Sequence, residues 1–413
     1  MIRTMKTRMK GWNVSGCPDL NALSEPAWRK VCAARTLVVK IGSNLLTTPG
    51  NGLNRDWIAA RALEMVQLIR QGRRVVIVTS GAVAAGYPRL GLSARPKLLR
   101  EKQAAASAGQ AVLMGCYESV FAAHGIHTAQ VLLTRDDVEN RRRYLNARDT
   151  LKTLLGFGLV PIVNENDTVR VEQIKFGDND TLSANVADLV DAELLILLSD
   201  VDGLFDADPR NNPHARPIPL VAKVTAEVEK LAGGSGSAVG LGGMITKLQA
   251  AKMASLSGCP MVLTNGFSEH PILTVFSGQP VGTLFLPASS PLNAHKRWLA
   301  NSRLSRGELT LDAGAITALR KGKSLLARGI IAVDGDFDRG DAVFCLDPDG
   351  VRVAKGQVNY PAADIRRIAG RHSDDFEAIL GFLGDPEIIH RDHMAMITPS
   401  NPKAADSVAQ DDS

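Results

Sequence analysis

Short apolar runs alternate along the chain with stretches whose apolar residues recur at helical spacing. Leu37-Val-Val-Lys-Ile41 is a β-branched run ending in Gly42-Ser43, which predicts a buried strand feeding a glycine turn. Ile58, Ala62, Met65, Val66 and Ile69 fall near helical spacing, so a helix is expected up to Arg70, with Asp56 as its cap and Gly72 closing it. Val75-Val-Ile-Val-Thr79 is the next strand, followed by Ser80-Gly81-Ala82. The alternation predicts helix 104–123, strand 127–133, helix 143–155, strand 160–163, helix 181–189 and strand 194–198. A less regular stretch follows, then helix 247–257 and strand 261–263. Strands alternating with helices imply βαβ units, hence an α/β fold with a mostly parallel sheet covered by helices in three layers. Such sheets bind ligands beyond the carboxyl ends of their strands, so polar residues there are the first candidates for chemistry.

The pattern changes after about residue 290. Short strands at 307–311, 329–333, 342–346 and 351–353, separated by Asp- and Gly-rich turns, predict a small β-rich domain reached through Pro287-Ala-Ser-Ser-Pro291. The first ten residues are basic but lack the apolar core and cleavage site of a secretory signal. The expected division is a disordered extension over 1–34, an α/β domain over 35–290, a linker over 291–305, the β-rich domain over 306–396, and a polar disordered tail over 397–413.

Composition narrows the function classes. Hydrophobic residues make up 45% of the chain and charged residues 22%, which excludes disorder for its bulk. No apolar run approaches the length of a membrane span. The formal charge of +5 suits anionic small molecules and is too slight and too dispersed for a dedicated nucleic-acid binder. Aromatic residues, at 5%, argue against single-strand stacking as the main activity. The five cysteines are scattered with no Cys-x-x-Cys, which predicts reduced thiols in a cytoplasmic protein and no zinc site. The eight histidines form no ligand cluster, and no protein metal site is expected.

The usual nucleotide and hydrolase signatures are missing: there is no P-loop, no complete G-x-G-x-x-G after a strand, no H-E-x-x-H and no G-x-S-x-G. What stands out is polar residues at successive strand ends. Lys40 lies inside a strand, a liability unless its ammonium serves an anion at the sheet edge. Ser80 and Gly81 offer a hydroxyl and backbone N–H groups at a helix start. Asn164-Glu-Asn-Asp167 and Asp178-Asn179-Asp180 combine amides and carboxylates, which suit the ammonium and carboxylate of an amino acid. Ser199-Asp200 follows the most apolar strand. Gly240-Leu-Gly-Gly-Met-Ile-Thr246-Lys247 reads as a glycine-rich loop entering a helix, with Lys247 in the first turn, where it opposes the helix dipole unless an anion binds. Two lysines, glycine-rich N–H cradles and carboxylates, without a P-loop, describe phosphoryl transfer by electrostatic positioning.

Taken in order, Val-Val-Lys40-Ile-Gly-Ser, Val-Thr-Ser80-Gly-Ala, Leu-Leu-Thr-Arg-Asp136, Tyr-Leu-Asn-Ala-Arg-Asp-Thr150, Val-Asn-Glu-Asn-Asp167, Lys-Phe-Gly-Asp-Asn-Asp180, Asp206-Ala-Asp-Pro-Arg210 and Gly-Gly-Met-Ile-Thr-Lys247 resemble the glutamate 5-kinase family of the amino-acid kinase superfamily. The resemblance runs from about Thr36 to Arg391. The β-rich region, with Gly-Asp-Phe-Asp-Arg-Gly340 and Asp-Ile-Arg-Arg-Ile-Ala-Gly370, is similar to a PUA domain. The resemblance implies L-glutamate and ATP as substrates with Mg²⁺, catalytic Lys40 and Lys247 oriented by Asp180, and glutamate held by Ser80, Gly81, Asn164, Asp167, Asp178 and Asn179. It implies ATP contacts from Lys40, Ser199, Asp200, Leu241, Gly242, Gly243, Met244, Ile245, Thr246 and Lys247. The family's loop commonly has Thr where Leu241 stands, so either a hydroxyl contact to nucleotide is missing here or a backbone N–H takes its place. A homo-oligomer (dimer or tetramer), a cytoplasmic location, proline feedback and hand-over of product to a separate glutamyl phosphate reductase are further implications.

Two alternatives stay open at this level. One is a kinase of this fold with another acceptor, such as N-acetylglutamate, aspartate, carbamate or a nucleoside monophosphate. The other is an RNA-binding protein acting through the β-rich domain. RNA binding is expected to be weak or absent, because Asp334, Asp336, Asp338 and Asp341 crowd that domain's central turn and would repel phosphates.

Overall fold

Every residue of Thr36–Ile41 is buried, as a central parallel strand covered on both faces requires. The computed structural model of the chain describes residues 20–48, 52–169, 178–232, 242–278, 280–288 and 305–397. In chain order the main-sheet strands are β1 (Thr36–Ile41), β2 (Arg74–Val78), β3 (Thr128–Leu133), β4 (Val160–Glu165), β5 (Leu194–Ser199), β6 (Leu220–Val221), β7 (Met261–Asn265) and β8 (Thr283–Phe285). They form one eight-stranded sheet in the order β6-β8-β7-β5-β1-β2-β4-β3. All neighbours are parallel except the β7–β8 pair, which is antiparallel.

The register aligns the carboxyl ends where polar residues were expected. Lys40 lies opposite Val78 of β2 and Leu197 of β5, and Asn265 lies opposite Ser199. Odd-numbered residues of β1 (Leu37, Val39, Ile41) join Ile77, Ile162, Leu194, Ile196 and Leu198 in one core cluster. Lys40 therefore belongs to the other face, the one it shares with Val38.

Six helices of the first unit flank this sheet or its strand ends. They are α1 (Leu20–Ala33), α2 (Arg55–Arg70), α3 (Ala82–Gly86), α4 (Leu99–Ala122), α5 (Asp178–Leu189) and α6 (Gly242–Leu256). The cap of α2 is Asn54, whose side chain accepts the N–H of Trp57 at 3.1 Å, and not Asp56, which lies in the first turn. An asparagine in the flanking position can reach that orphan donor, whereas Asp56 is already helical. Gly72, at φ +84°, follows the helix end as expected. The sequence places the start of α5 at Thr181, but residues 178–180 already form its first turn.

The expected disordered extension does not hold from Leu20 onward. Residues 20–33 form α1, which buries Trp28 and Val31 in the main core cluster. Arg73 donates to the carbonyls of Cys32 (3.1 Å) and Ala34 (3.2 Å), filling acceptors that a helix end leaves open. Residues 1–19 and 398–413, and most of the expected linker, lie outside the described residues. Among the described residues Cys32, Cys116, Cys259 and Cys345 are free thiols, and no helix is long and apolar enough to cross a membrane.

The chain divides into two compact units, Met1–Arg135 with Arg148–Ala288, and Asp136–Ala147 with Ser289–Ser413. Segment 136–147 thus departs from the expectation of one continuous domain over 35–290. The second unit has its own sheet of five strands, β9 (Gly307–Leu311), β10 (Ile330–Gly335), β11 (Ala342–Leu346), β12 (Arg352–Gln357) and β13 (Met394–Met396), in the order β10-β9-β11-β12-β13. Leu309, Leu311, Val343, Cys345, Ile365 and Ile389 lie in its separate core. Several of its basic side chains are spent within the unit. Arg352 pairs with Glu308 at 3.0 Å and lies 3.9 Å from the Phe344 ring centroid, and Arg339 is 3.5 Å from Asp385.

Candidate active site

The carboxyl ends of four strands, β1, β2, β4 and β5, and the first turns of α5 and α6 build the site, all within the first unit. At its centre is Asp180 in the first turn of α5, with no solvent exposure. Lys40, at the end of β1 and 5% exposed, forms an ion pair with Asp180 Oδ1. Lys247 Nζ lies 3.4 Å from Oδ2 of the same carboxylate, and the Thr246 hydroxyl lies 2.8 Å from that oxygen. Two ammonium groups thus share one carboxylate, and the cluster carries a net positive charge while all three are ionised. Burial pushes the Asp180 carboxyl up, but Lys40 and Lys247 outweigh it and hold the group below the ordinary carboxylate value. Lys40 is held below the ordinary lysine value by burial and by the facing charge of Lys247, against the pull of Asp180. One carboxylate does not balance two ammonium groups, so the cluster favours the approach of a further anion.

Gly242 and Gly243, which the sequence reads as part of a loop, are helical. Among the described residues α6 begins at Gly242, which places Lys247 in the second turn and not the first. Its ammonium nevertheless reaches back one turn to the Gly243 carbonyl at 3.0 Å, so the charge still sits beside the first turn and still opposes the helix dipole. Glycine's poor helix propensity hid this start. Gly243 and Ile245 are exposed, while Met244, Thr246 and Lys247 are half-buried. Leu241 and the side chain of Asp178 lie outside the described residues.

A second polar network adjoins the first, because Asn179 precedes Asp180 in α5. Asn179 Nδ2 lies 2.7 Å from Ser80 Oγ, 2.8 Å from the Thr79 carbonyl and 3.2 Å from Asn164 Oδ1. Asn164, buried at the end of β4, donates to Gln110 Oε1 at 3.0 Å, and its own oxygen accepts the N–H of Glu165. Thr79 exchanges a hydrogen bond with the Tyr117 hydroxyl at 3.0 Å, inside the core. Gly81 takes φ +97°, a left-handed turn that glycine adopts without strain, before α3. That helix has only five residues, too few peptide dipoles for the helix-terminus anion site expected there. Asp167 is half-buried in the turn beyond β4.

Beyond β5, Asp200 accepts from Asn44 Nδ2 at 2.8 Å and from the Ser199 hydroxyl at 3.1 Å. Burial pushes Asp200 up, and these bonds, with the charge of Lys247, bring it below the ordinary value. Asp202 accepts from Asn265 at 2.8 Å. The structure therefore brings together Lys40, Asp180, Thr246 and Lys247 as one cluster, and Ser80, Asn164 and Asn179 as another. Asn44, Asn265, Gln110 and Tyr117 were not found by sequence reasoning. Asn44 had a signal, since it continues the Gly42-Ser43 turn; the other three carry none.

The donor set for Mg²⁺ is sparse. Both oxygens of Asp180 face lysines, and no group of three or more His, Cys, Asp or Glu among the described residues could hold a metal ion. Such a site fits a Mg²⁺ ion that takes most of its oxygens from the phosphates of a nucleotide, with Asp200 as the available carboxylate.

Residues 35–265 match the model of the amino acid kinase family, and residues 307–380 match that of the PUA domain. The chain belongs to the amino acid kinase family. Within it, the glutamate 5-kinase of Geobacter sulfurreducens is 50% identical over 364 residues, covering 88% of this chain and 98% of that protein. The glutamate 5-kinase of Pseudomonas putida strain W619 is 50% identical over 369 residues, covering 89% and 99%. Among solved structures, the carbamate kinase of Giardia lamblia is similar with a TM-score of 0.44 at 16% identity, covering 62% of this chain and 99% of that one. The kinase-family reading of the motifs and the separate β-rich PUA unit both stand.

Proposed function

We propose that this kinase transfers the γ-phosphoryl group of ATP to the γ-carboxylate of L-glutamate, giving L-glutamyl 5-phosphate and ADP, the first step of L-proline biosynthesis. The observation that carries the reading is the adjacency of Asn179 and Asp180. One residue belongs to an amide network suited to an amino acid, and the next holds both lysines. Near-full-length identity of 50% to proteins named glutamate 5-kinase supports the choice of acceptor.

The acceptor carboxylate is ionised at neutral pH, so the reaction needs no general base. The obstacle is the approach of one anion to another. Lys40 and Lys247 offset it, released toward the phosphates as the nucleotide competes with Asp180 for their charge. Asp180 keeps both ammonium groups in place between turnovers. Ser80, Asn164 and Asn179, with Gly81, Asp167 and Asp178, hold glutamate, and Asp167 meets its α-ammonium. Ser199, Asp200 and residues 241–247 line the nucleotide side. Mg²⁺, when bound, neutralises phosphate charge.

The remaining parts of the reading are a kinase domain over 35–290 extended by α1, a PUA unit that modulates the kinase without supplying catalytic groups, a homo-oligomer, and a cytoplasmic location. An acyl phosphate is labile in water, which favours hand-over to a separate reductase. The test is nucleotide-dependent ADP release across a panel of acceptors. Glutamate should exceed aspartate, N-acetylglutamate, carbamate and UMP by at least tenfold in kcat/KM; a better alternative acceptor would replace this reading.

A further inference from the structure

We infer that Gln110, midway along α4, is a positioning residue for the acceptor amino acid, helping to orient Asn164 and keeping an amide donor unpaired for the acceptor. The inference rests on glutamate being the acceptor. The buried stripe of α4 includes Ala105, Ala106, Gly109, Leu113, Tyr117 and Phe121, and Gln110 interrupts it at 8% exposure. A carboxamide in that stripe carries a desolvation cost unless its polar atoms find partners.

Its Oε1 has one, the Nδ2 of Asn164, from a residue 54 positions away. A carboxamide whose NH₂ is committed turns its oxygen to the opposite side. Asn164 Oδ1 accordingly meets Asn179 Nδ2, which in turn reaches Thr79 and Ser80. Gln110 on one side and the Glu165 N–H, 2.9 Å from Asn164 Oδ1, on the other together fix the orientation of Asn164 in the acceptor network.

Two atoms of this network remain buried with no hydrogen-bond partner among the described residues: Gln110 Nε2 and Asn179 Oδ1. One is a donor and the other an acceptor, at the two ends of one chain of amides. A zwitterionic amino acid offers both complements, a carboxylate to accept and an ammonium to donate. A plain dicarboxylate matches only one.

The helix that carries Gln110 has little freedom to shift. A Cβ on Gly109 would lie 1.9 Å from the Ala82 carbonyl oxygen, and one on Gly86 would lie 1.7 Å from that of Ala105. So α3 and α4 touch backbone to backbone beside this residue. Two turns on, Tyr117 holds Thr79 from the same helix face.

The test uses the full chain and hydroxamate formation, with kcat and KM for glutamate and ATP, and glutarate as the acceptor lacking an ammonium. Gln110→Met keeps the volume and removes both polar atoms. It should raise the glutamate KM by about tenfold or more, the scale of a lost hydrogen bond to a charged group, and leave the ATP KM within twofold. Its preference for glutamate over glutarate should fall by a similar factor. Gln110→Glu retains an acceptor for Asn164 but puts an acidic oxygen where the donor stood, and should raise the glutamate KM at least as far. A residue that only supports the fold would lower thermal stability and weaken both substrates together. A folded Gln110→Met with a glutamate KM within twofold of wild type overturns the inference. If that variant does not fold, the same result for Gln110→Glu overturns it. Wild-type protein that makes no hydroxamate from glutamate refutes the acceptor reading, and this inference with it.

Discussion

Replacing Asp180 by Asn removes the negative charge shared by the ammonium groups of buried Lys40 and half-buried Lys247. The side chains of Lys40 and Lys247 are 6% and 11% exposed, so water replaces little of the lost interaction. Breaking a buried ion pair by removing one partner costs about 3–5 kcal/mol. The cost has a ceiling, because Lys40 can shed its proton: neutralising an ordinary lysine at pH 7 costs about 5 kcal/mol. Asn can still accept from Thr246, so that bond survives. At about 2–4 °C per kcal/mol for a unit of this size, Tm should fall by about 6–20 °C. The sign of the pH dependence follows from Lys40, whose pKa is already below its ordinary value of 10.5. A lysine with a depressed folded pKa destabilises the fold while charged, and the penalty disappears as pH rises toward the unfolded value. The Tm gap between variant and wild type should therefore narrow from pH 7 to pH 10. Added ATP should raise Tm more in the variant than in wild type, since phosphates replace the missing carboxylate. Circular dichroism melts at several pH values read all three effects. A Tm within about 2 °C of wild type, or a gap that does not change with pH, would refute the argument that Asp180 is the counter-ion of both lysines.

Four other outcomes follow from the same geometry. Lys247→Ala should lower kcat by about 10²–10³, the scale of losing one preorganised charge donor, with a small change in glutamate KM; steady-state rates above a third of wild type would contradict it. Asp167→Asn should raise the glutamate KM at least tenfold, equivalent to about 1.5–3 kcal/mol, and leave the ATP KM unchanged, whereas equal losses for both substrates would make Asp167 structural. Loss of activity at high pH should have its midpoint below 10.5, because burial and Lys247 depress Lys40; in Lys40→Arg, whose guanidinium does not titrate there, any residual activity should persist to higher pH. Trp28→Ala should cost about 3–5 kcal/mol of stability, read by chemical denaturation, because this side chain is 4% exposed in the main core; a loss under about 1 kcal/mol would mean that α1 adds little to the fold.

The parts of the fold that the sequence reveals are those whose signal is local. β1, β2, β4 and β5 are read to within two residues because strands buried on both faces are continuous apolar runs. Lys40 is legible because it breaks such a run. Helix starts are less so: α6 opens on glycines that disguise its first turn, and the cap of α2 falls two residues before the acidic residue that resembles one. The helix α1 hides behind Pro26 and only a few large apolar residues, and what holds it is distant, namely Arg73 and core residues such as Val275. Gln110 is the extreme case. Nothing in Ala-Gly-Gln110-Ala marks a functional residue, and its meaning lies wholly in a bond to Asn164 that only the fold creates.

The central claim is that the γ-carboxylate of glutamate attacks the γ-phosphorus of ATP directly. Glutamate carrying heavy oxygen in its γ-carboxylate tests this when the reaction runs with ATP and hydroxylamine. Attack leaves one labelled oxygen bridging carbon and phosphorus. Hydroxylamine then displaces phosphate at the carbonyl carbon, and that oxygen departs with the phosphate. The account predicts glutamyl hydroxamate together with one labelled oxygen in each phosphate released. Hydroxamate accompanied by unlabelled phosphate, or ADP release without hydroxamate, would contradict it.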